Sequence, residues 1–84
     1  MKADIEDFKT GWYGISLGVK SEDIEDLISA LKRLKESKSH FHFRSNYEGD
    51  GGIGDVEIYF QPSEDPSNLE LDVSPAIYTS KNKT

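Results

Sequence analysis

Tyr13-Gly14-Ile15-Ser16-Leu17-Gly18-Val19 is followed, after Lys20, by Ser21-Glu22-Asp23-Ile24-Glu25-Asp26-Leu27-Ile28-Ser29-Ala30-Leu31-Lys32-Arg33-Leu34. The apolar period changes between these stretches from 2 to about 3.6, the mark of a strand giving way to a helix. In the strand, Tyr13, Ile15, Leu17 and Val19 share one face, while Trp12, Gly14, Ser16 and Gly18 share the other. The small residues leave backbone open to close approach on that second face. In the helix, Ile24, Leu27, Ile28, Leu31 and Leu34 form the apolar stripe. Ser21 is a suitable N-cap. Acids gather at the helix start and Lys32, Arg33, Lys35 and Lys38 near its end, as the macrodipole favours, which predicts a helix over about Glu22–Ser37.

Alternation returns in His40-Phe41-His42-Phe43 and again in Val56-Glu57-Ile58-Tyr59-Phe60. Phe41, Phe43, Val56, Ile58 and Phe60 point inward, which sends His40, His42, Arg44, Glu57 and Tyr59 outward. Glu48-Gly49-Asp50-Gly51-Gly52-Ile53-Gly54 supplies the positive-φ residues that a hairpin loop needs. Beyond the polar loop Pro62–Asn68, Leu69, Leu71 and Val73 alternate with Glu70 and Asp72 as a last strand. Pro75 interrupts it, Ala76-Ile77-Tyr78 resumes along an edge, and Thr79–Thr84 is a frayed tail. Met1–Thr10 is polar apart from spaced apolar residues and is compatible with a helical turn, an extra strand or a flexible segment. The expectation is one α+β domain with its core over about 11–78. It is a two-layer sandwich of one helix on a mainly antiparallel four-stranded sheet, in the order β-α-β-β-β.

Eighty-four residues suffice for one core and a shallow site. There is no cysteine, which excludes disulfides and thiolate metal sites. No apolar run approaches the roughly 20 residues that span a bilayer, and Met1-Lys2-Ala3-Asp4 opens no signal peptide, so a cytoplasmic location without membrane association is expected. The net charge is −6, and it is unevenly spread. From His40 to Ser80 there are eight acids (Glu48, Asp50, Asp55, Glu57, Glu64, Asp65, Glu70, Asp72) and one base, Arg44. Such a field repels phosphate, which argues against direct nucleic-acid binding and favours a basic protein partner. Acidity that merely maintains solubility is the plainer alternative.

Gly49-x-Gly51-x-x-Gly54 has the letters of a dinucleotide fingerprint, but it leads into a strand instead of a helix and is flanked by acids. A hairpin loop is the reading. His40 and His42 lie two apart on a strand and so share a face; Glu57 or Glu70 across the sheet could add an oxygen ligand for a metal. Surface histidines bonded to carboxylates on neighbouring strands are the simpler expectation, with no metal or other cofactor. No nucleophile motif surrounds any serine, and the carboxylates lie on an open sheet with little desolvation, so no catalytic residue is expected. The combined outward face, Trp12, His40, His42, Arg44, Glu57, Tyr59, Glu70 and Asp72, is instead the candidate partner-binding surface. Aromatics and arginine among acids characterise protein contacts.

Trp12-Tyr13-Gly14-Ile15-Ser16-Leu17, the Ser21-Glu22-Asp23-Ile24 helix start with Leu27-Ile28 and Leu31, His40-Phe41-His42-Phe43 and Gly54-Asp55-Val56-Glu57-Ile58 resemble bacterial immunity proteins of polymorphic toxin systems. The resemblance is to immunity protein family thirty-two, over about Gly11 to Ile77. It implies a small non-enzymatic inhibitor that binds a cognate toxin domain in the producing cell. A phage-encoded antagonist of a bacterial defence system and a metal-binding protein or enzyme using His40 and His42 are the alternatives. A sheet covered by one helix also leaves an open face and edge strands, through which a homodimer could form.

Overall fold

The computed structural model describes residues 1–73, as an α+β chain with one helix between two antiparallel hairpins. The strands are β1 (Lys2–Asp7), β2 (Tyr13–Gly18), β3 (His40–Arg44) and β4 (Asp55–Tyr59), and helix α1 spans Ser21–Ser37. β1 pairs with β2, and β3 with β4, in two separate two-stranded sheets. This departs from the single four-stranded sheet and the β-α-β-β-β order expected from the sequence. The opening segment is the reason. Residues 2–7 form a strand that takes β2 as its hairpin partner, where the expected order had β2 reaching its neighbour through the helix.

The first hairpin turns where local chemistry favours it. Asp7 Oδ1 accepts the Lys9 amide at 2.8 Å, Lys9 and Gly11 adopt positive φ, and the Phe8 amide donates to the Trp12 carbonyl at 3.1 Å. Phe8 then lies across the backbone at Gly14, where a Cβ would sit 2.7 Å from the ring. One of the small positions read as open to an approaching surface is thus used by the chain's own aromatic. The register pairs Ala3 with Leu17, Ile5 with Ile15 and Asp7 with Tyr13, so these share a face.

Helix α1 begins one residue earlier than its sequence suggests. Lys20 is the N-cap, and no side chain caps the helix, so Ser21 does not act as the cap. The Lys20 carbonyl accepts from the amides of Asp23 and Ile24 at 2.9 and 3.2 Å. At the other end Lys38 adopts a left-handed conformation, and its amide donates to the Leu34 carbonyl at 2.8 Å. Its ammonium lies 5.8 Å from the centre of the Phe60 ring. α1 packs against β3. Leu27, Ala30 and Leu34 are half-buried, as are Phe41, Phe43, Val56 and Ile58, the inward side chains of the second hairpin. Ile24, Ile28 and Leu31, expected in the same stripe, remain exposed.

The β3–β4 ladder is extended at both ends, by the Phe60 amide donating to the Ser39 carbonyl and the Ser45 amide donating to the Gly54 carbonyl, each at 3.0 Å. Between them Gly49, Gly51 and Gly52 take positive φ, and the glycine-rich segment links two strands without opening a helix. Tyr47 lies over Gly54, repeating the aromatic-on-glycine contact of the first hairpin. Residues 69–73 lie outside any strand, although the alternation of Leu69, Leu71 and Val73 predicts one. Alternation prescribes which side chains share a face, and by itself it does not prescribe a ladder. Pro75, the continuation expected at 76–78 and the tail lie outside the described residues. Among the described residues, no helix is long and apolar enough to cross a membrane.

No described side chain is fully buried. Ile5 and Ile15, though paired across the first hairpin, are 60% and 63% exposed. The two hairpins should therefore respond differently to truncation. Phe41→Ala is expected to lower stability by about 2 kcal/mol, less than the 3–5 of a fully enclosed Phe, and Ile15→Ala by less than about 1 kcal/mol. Urea unfolding of the two variants checks this; equal losses would mean that the helix covers both hairpins alike.

Candidate functional site

The outer face of the second hairpin is built by parity and register. Alternation puts His40, His42 and Arg44 on one side of β3 and Asp55, Glu57 and Tyr59 on one side of β4. The antiparallel register then sets His40 opposite Tyr59, His42 opposite Glu57 and Arg44 opposite Asp55. Side chains directly opposite approach within about 5 Å at Cβ, so the ladder forms one continuous polar and aromatic strip. Phe41 and Phe43 anchor it from beneath, their rings 5.6 Å apart and close to perpendicular.

Asp55 is the hub of this strip. Its carboxylate oxygens lie 3.0 and 3.1 Å from His42 Nδ1, and Oδ1 accepts from Arg44 Nε at 3.2 Å. The imidazole contact runs diagonally across the ladder and the guanidinium contact straight across it. His42 is the more enclosed partner, with 23% of its side chain exposed against 63% for Arg44. His40 completes the row, its ring edge-on to that of His42 with centres 5.3 Å apart. One ring nitrogen from each histidine and one Glu57 carboxylate oxygen all lie within 4.8 Å of one another.

Of the residues expected to form one surface, the structure brings together His40, His42, Arg44, Glu57 and Tyr59. Trp12 belongs to the turn of the first hairpin, where it is 75% exposed. Glu70 and Asp72 lie in the irregular segment after β4, not on a strand beside it. Asp55 was absent from the expected surface, although its parity with Glu57 and Tyr59 carries the signal: any residue two before Glu57 on the same strand faces the same way. Its pairing with Arg44 depends on where the hairpin closes, which the length of the glycine-rich loop does not prescribe. That loop forms its own concavity between Ser45 and Gly54, lined by Tyr47, Glu48 and Asp50 and ringed by backbone.

The strip offers hydrogen-bond acceptors, two imidazoles, one guanidinium and an exposed phenol. No protein-family model, curated protein or solved structure matches the chain.

Partly exposed ion pairs contribute little, so Asp55→Asn is expected to cost no more than about 1 kcal/mol of stability. The difference from wild type should shrink in high salt. Chemical unfolding at low and high sodium chloride measures both; a loss several times larger would make Asp55 a structural keystone of the hairpin.

Proposed function

We propose that this chain is a non-enzymatic binding protein of the immunity or inhibitor kind, which occludes a basic protein such as a cognate toxin domain. The observation that carries the proposal is the extent of apolar surface left uncovered. Ile5, Tyr13 and Ile15 on the first hairpin and Ile24, Ile28 and Leu31 on the helix are all exposed, as are Trp12, Tyr47 and Tyr59. Buried apolar area contributes roughly 25 cal/mol per Å², so a partner covering this surface would add stabilisation that the isolated chain lacks. Contiguous apolar surface rimmed by polar groups marks interaction sites in general.

Charge supports the choice of partner. The net charge of −6, with acids concentrated beyond His40, attracts a basic cleft and speeds encounter with it. Carboxylates such as Glu57, Glu70 and Asp72 would then occupy positions that such a cleft keeps for phosphates, with Trp12 and Tyr59 as apolar anchors. An acidic chain of this kind is a poor ligand for nucleic acid itself. The resemblance of Trp12–Leu17, His40–Phe43 and Gly54–Ile58 to immunity proteins points the same way.

Co-expression with the product of the neighbouring gene is the direct test. The expected result is a stoichiometric complex that survives gel filtration and protects cells from that product; neither complex nor protection would refute the proposal. Within such a complex, Trp12→Asp and Tyr59→Asp should each weaken binding by at least about tenfold, as loss of an aromatic anchor does, while leaving the unfolding midpoint near wild type. Association should also slow as salt is raised.

A further inference from the structure

We propose that His40, His42 and Glu57 form a binding site for a divalent transition-metal ion of the zinc class. The three side chains meet because of strand geometry. The histidines are two residues apart on β3 and share its outer face, while Glu57 is the cross-strand partner of His42. Their ligand atoms lie within 4.8 Å of one another. Around a tetrahedral ion with bonds of 2.0–2.1 Å, ligand atoms are about 3.4 Å apart. His40 and Glu57 are exposed and free of the packed interior, so side-chain rotation alone can close that gap.

The second, independent observation is the support behind His42. Its Nδ1 is held by the Asp55 carboxylate at 3.0 and 3.1 Å, which leaves Nε2 as the nitrogen for a cation. A carboxylate behind the far nitrogen of a ligating imidazole orients the ring, sets its tautomer and raises its basicity. Asp55 is itself steadied by Arg44 Nε at 3.2 Å. Arg44 also offsets the Asp55 charge, so the anionic group left to meet the cation is Glu57. Two imidazoles and one carboxylate suit zinc or a neighbouring late transition metal over magnesium or calcium, which prefer all-oxygen sites. Three protein ligands leave one tetrahedral position to solvent or to a group on a bound partner. All three ligands belong to this chain, so the ion needs no partner protein to bind.

The test is calorimetric titration of zinc chloride into the chelator-stripped full-length protein. One equivalent is expected, with a dissociation constant at or below about 10 µM, in keeping with a site of three ligands. His40→Ala, His42→Ala and Glu57→Gln should each weaken it at least about tenfold, and Asp55→Asn about 10–100-fold with the stoichiometry retained. Circular dichroism and the urea midpoint confirm that each variant remains folded. Should a variant unfold, histidine-ring nitrogen NMR of the wild-type protein decides. Added zinc should move the resonance of one nitrogen in each ring, and in His42 that nitrogen should be Nε2. Absence of binding at about 100 µM zinc, ring resonances that do not move, or undiminished affinity in the folded His42→Ala variant would overturn the site.

Discussion

One helix can cover one hairpin, and the rest of the structure follows from that limit. α1 packs against β3, placing Leu27, Ala30 and Leu34 on the same side of the second hairpin as Phe41 and Phe43. The first hairpin has a comparable apolar face in Ile5, Tyr13, Ile15 and Leu17, but the helix does not enclose it. The result is a chain with one helix and four strands in its first sixty residues and no fully buried side chain among those described. A small chain already buries a low fraction of its surface, and an uncovered sheet face lowers it further. Such a molecule gains from anything that covers the remaining apolar area.

The same packing decides where polar chemistry can reside. With Phe41, Phe43, Val56 and Ile58 on the half-buried face of the second hairpin, His40, His42, Arg44, Asp55, Glu57 and Tyr59 are committed to the opposite face. Asp55 then touches an imidazole and a guanidinium at once, while Glu57 stands opposite His42. The strip that would meet a basic protein is therefore also the strip that would hold a cation. These two uses compete locally: Arg44 is the strip's one base against the acids Asp55 and Glu57, so a divalent ion would engage Glu57 and reverse the sign of the strip, leaving the acids along the loops to attract a basic partner. Two aromatic-on-glycine contacts, Phe8 on Gly14 and Tyr47 on Gly54, lie beside the turns of the two hairpins.

The sequence by itself determined the kind of each central element and the sidedness of each strand. The helix and the strands at 13–18, 40–44 and 55–59 follow from apolar period, and His40, His42, Arg44, Glu57 and Tyr59 share a face because side chains alternate along any strand. Tertiary structure alone decided which strands pair. In residues 2–7 only Ala3 and Ile5 alternate with charged side chains, a pattern too short to choose between strand, helical turn and flexible segment, yet they pair fully with β2, whereas Leu69–Val73 alternate well and lie outside any strand. It also decided that the helix buries Leu27 and Leu34 in preference to Ile24, Ile28 and Leu31, and that Asp55 meets His42 and Arg44. The physical reason is one of range. Periodicity is a property of neighbouring residues, while pairing, helix rotation and cross-strand contact depend on competition among segments far apart in the chain, and local sequence does not record its outcome.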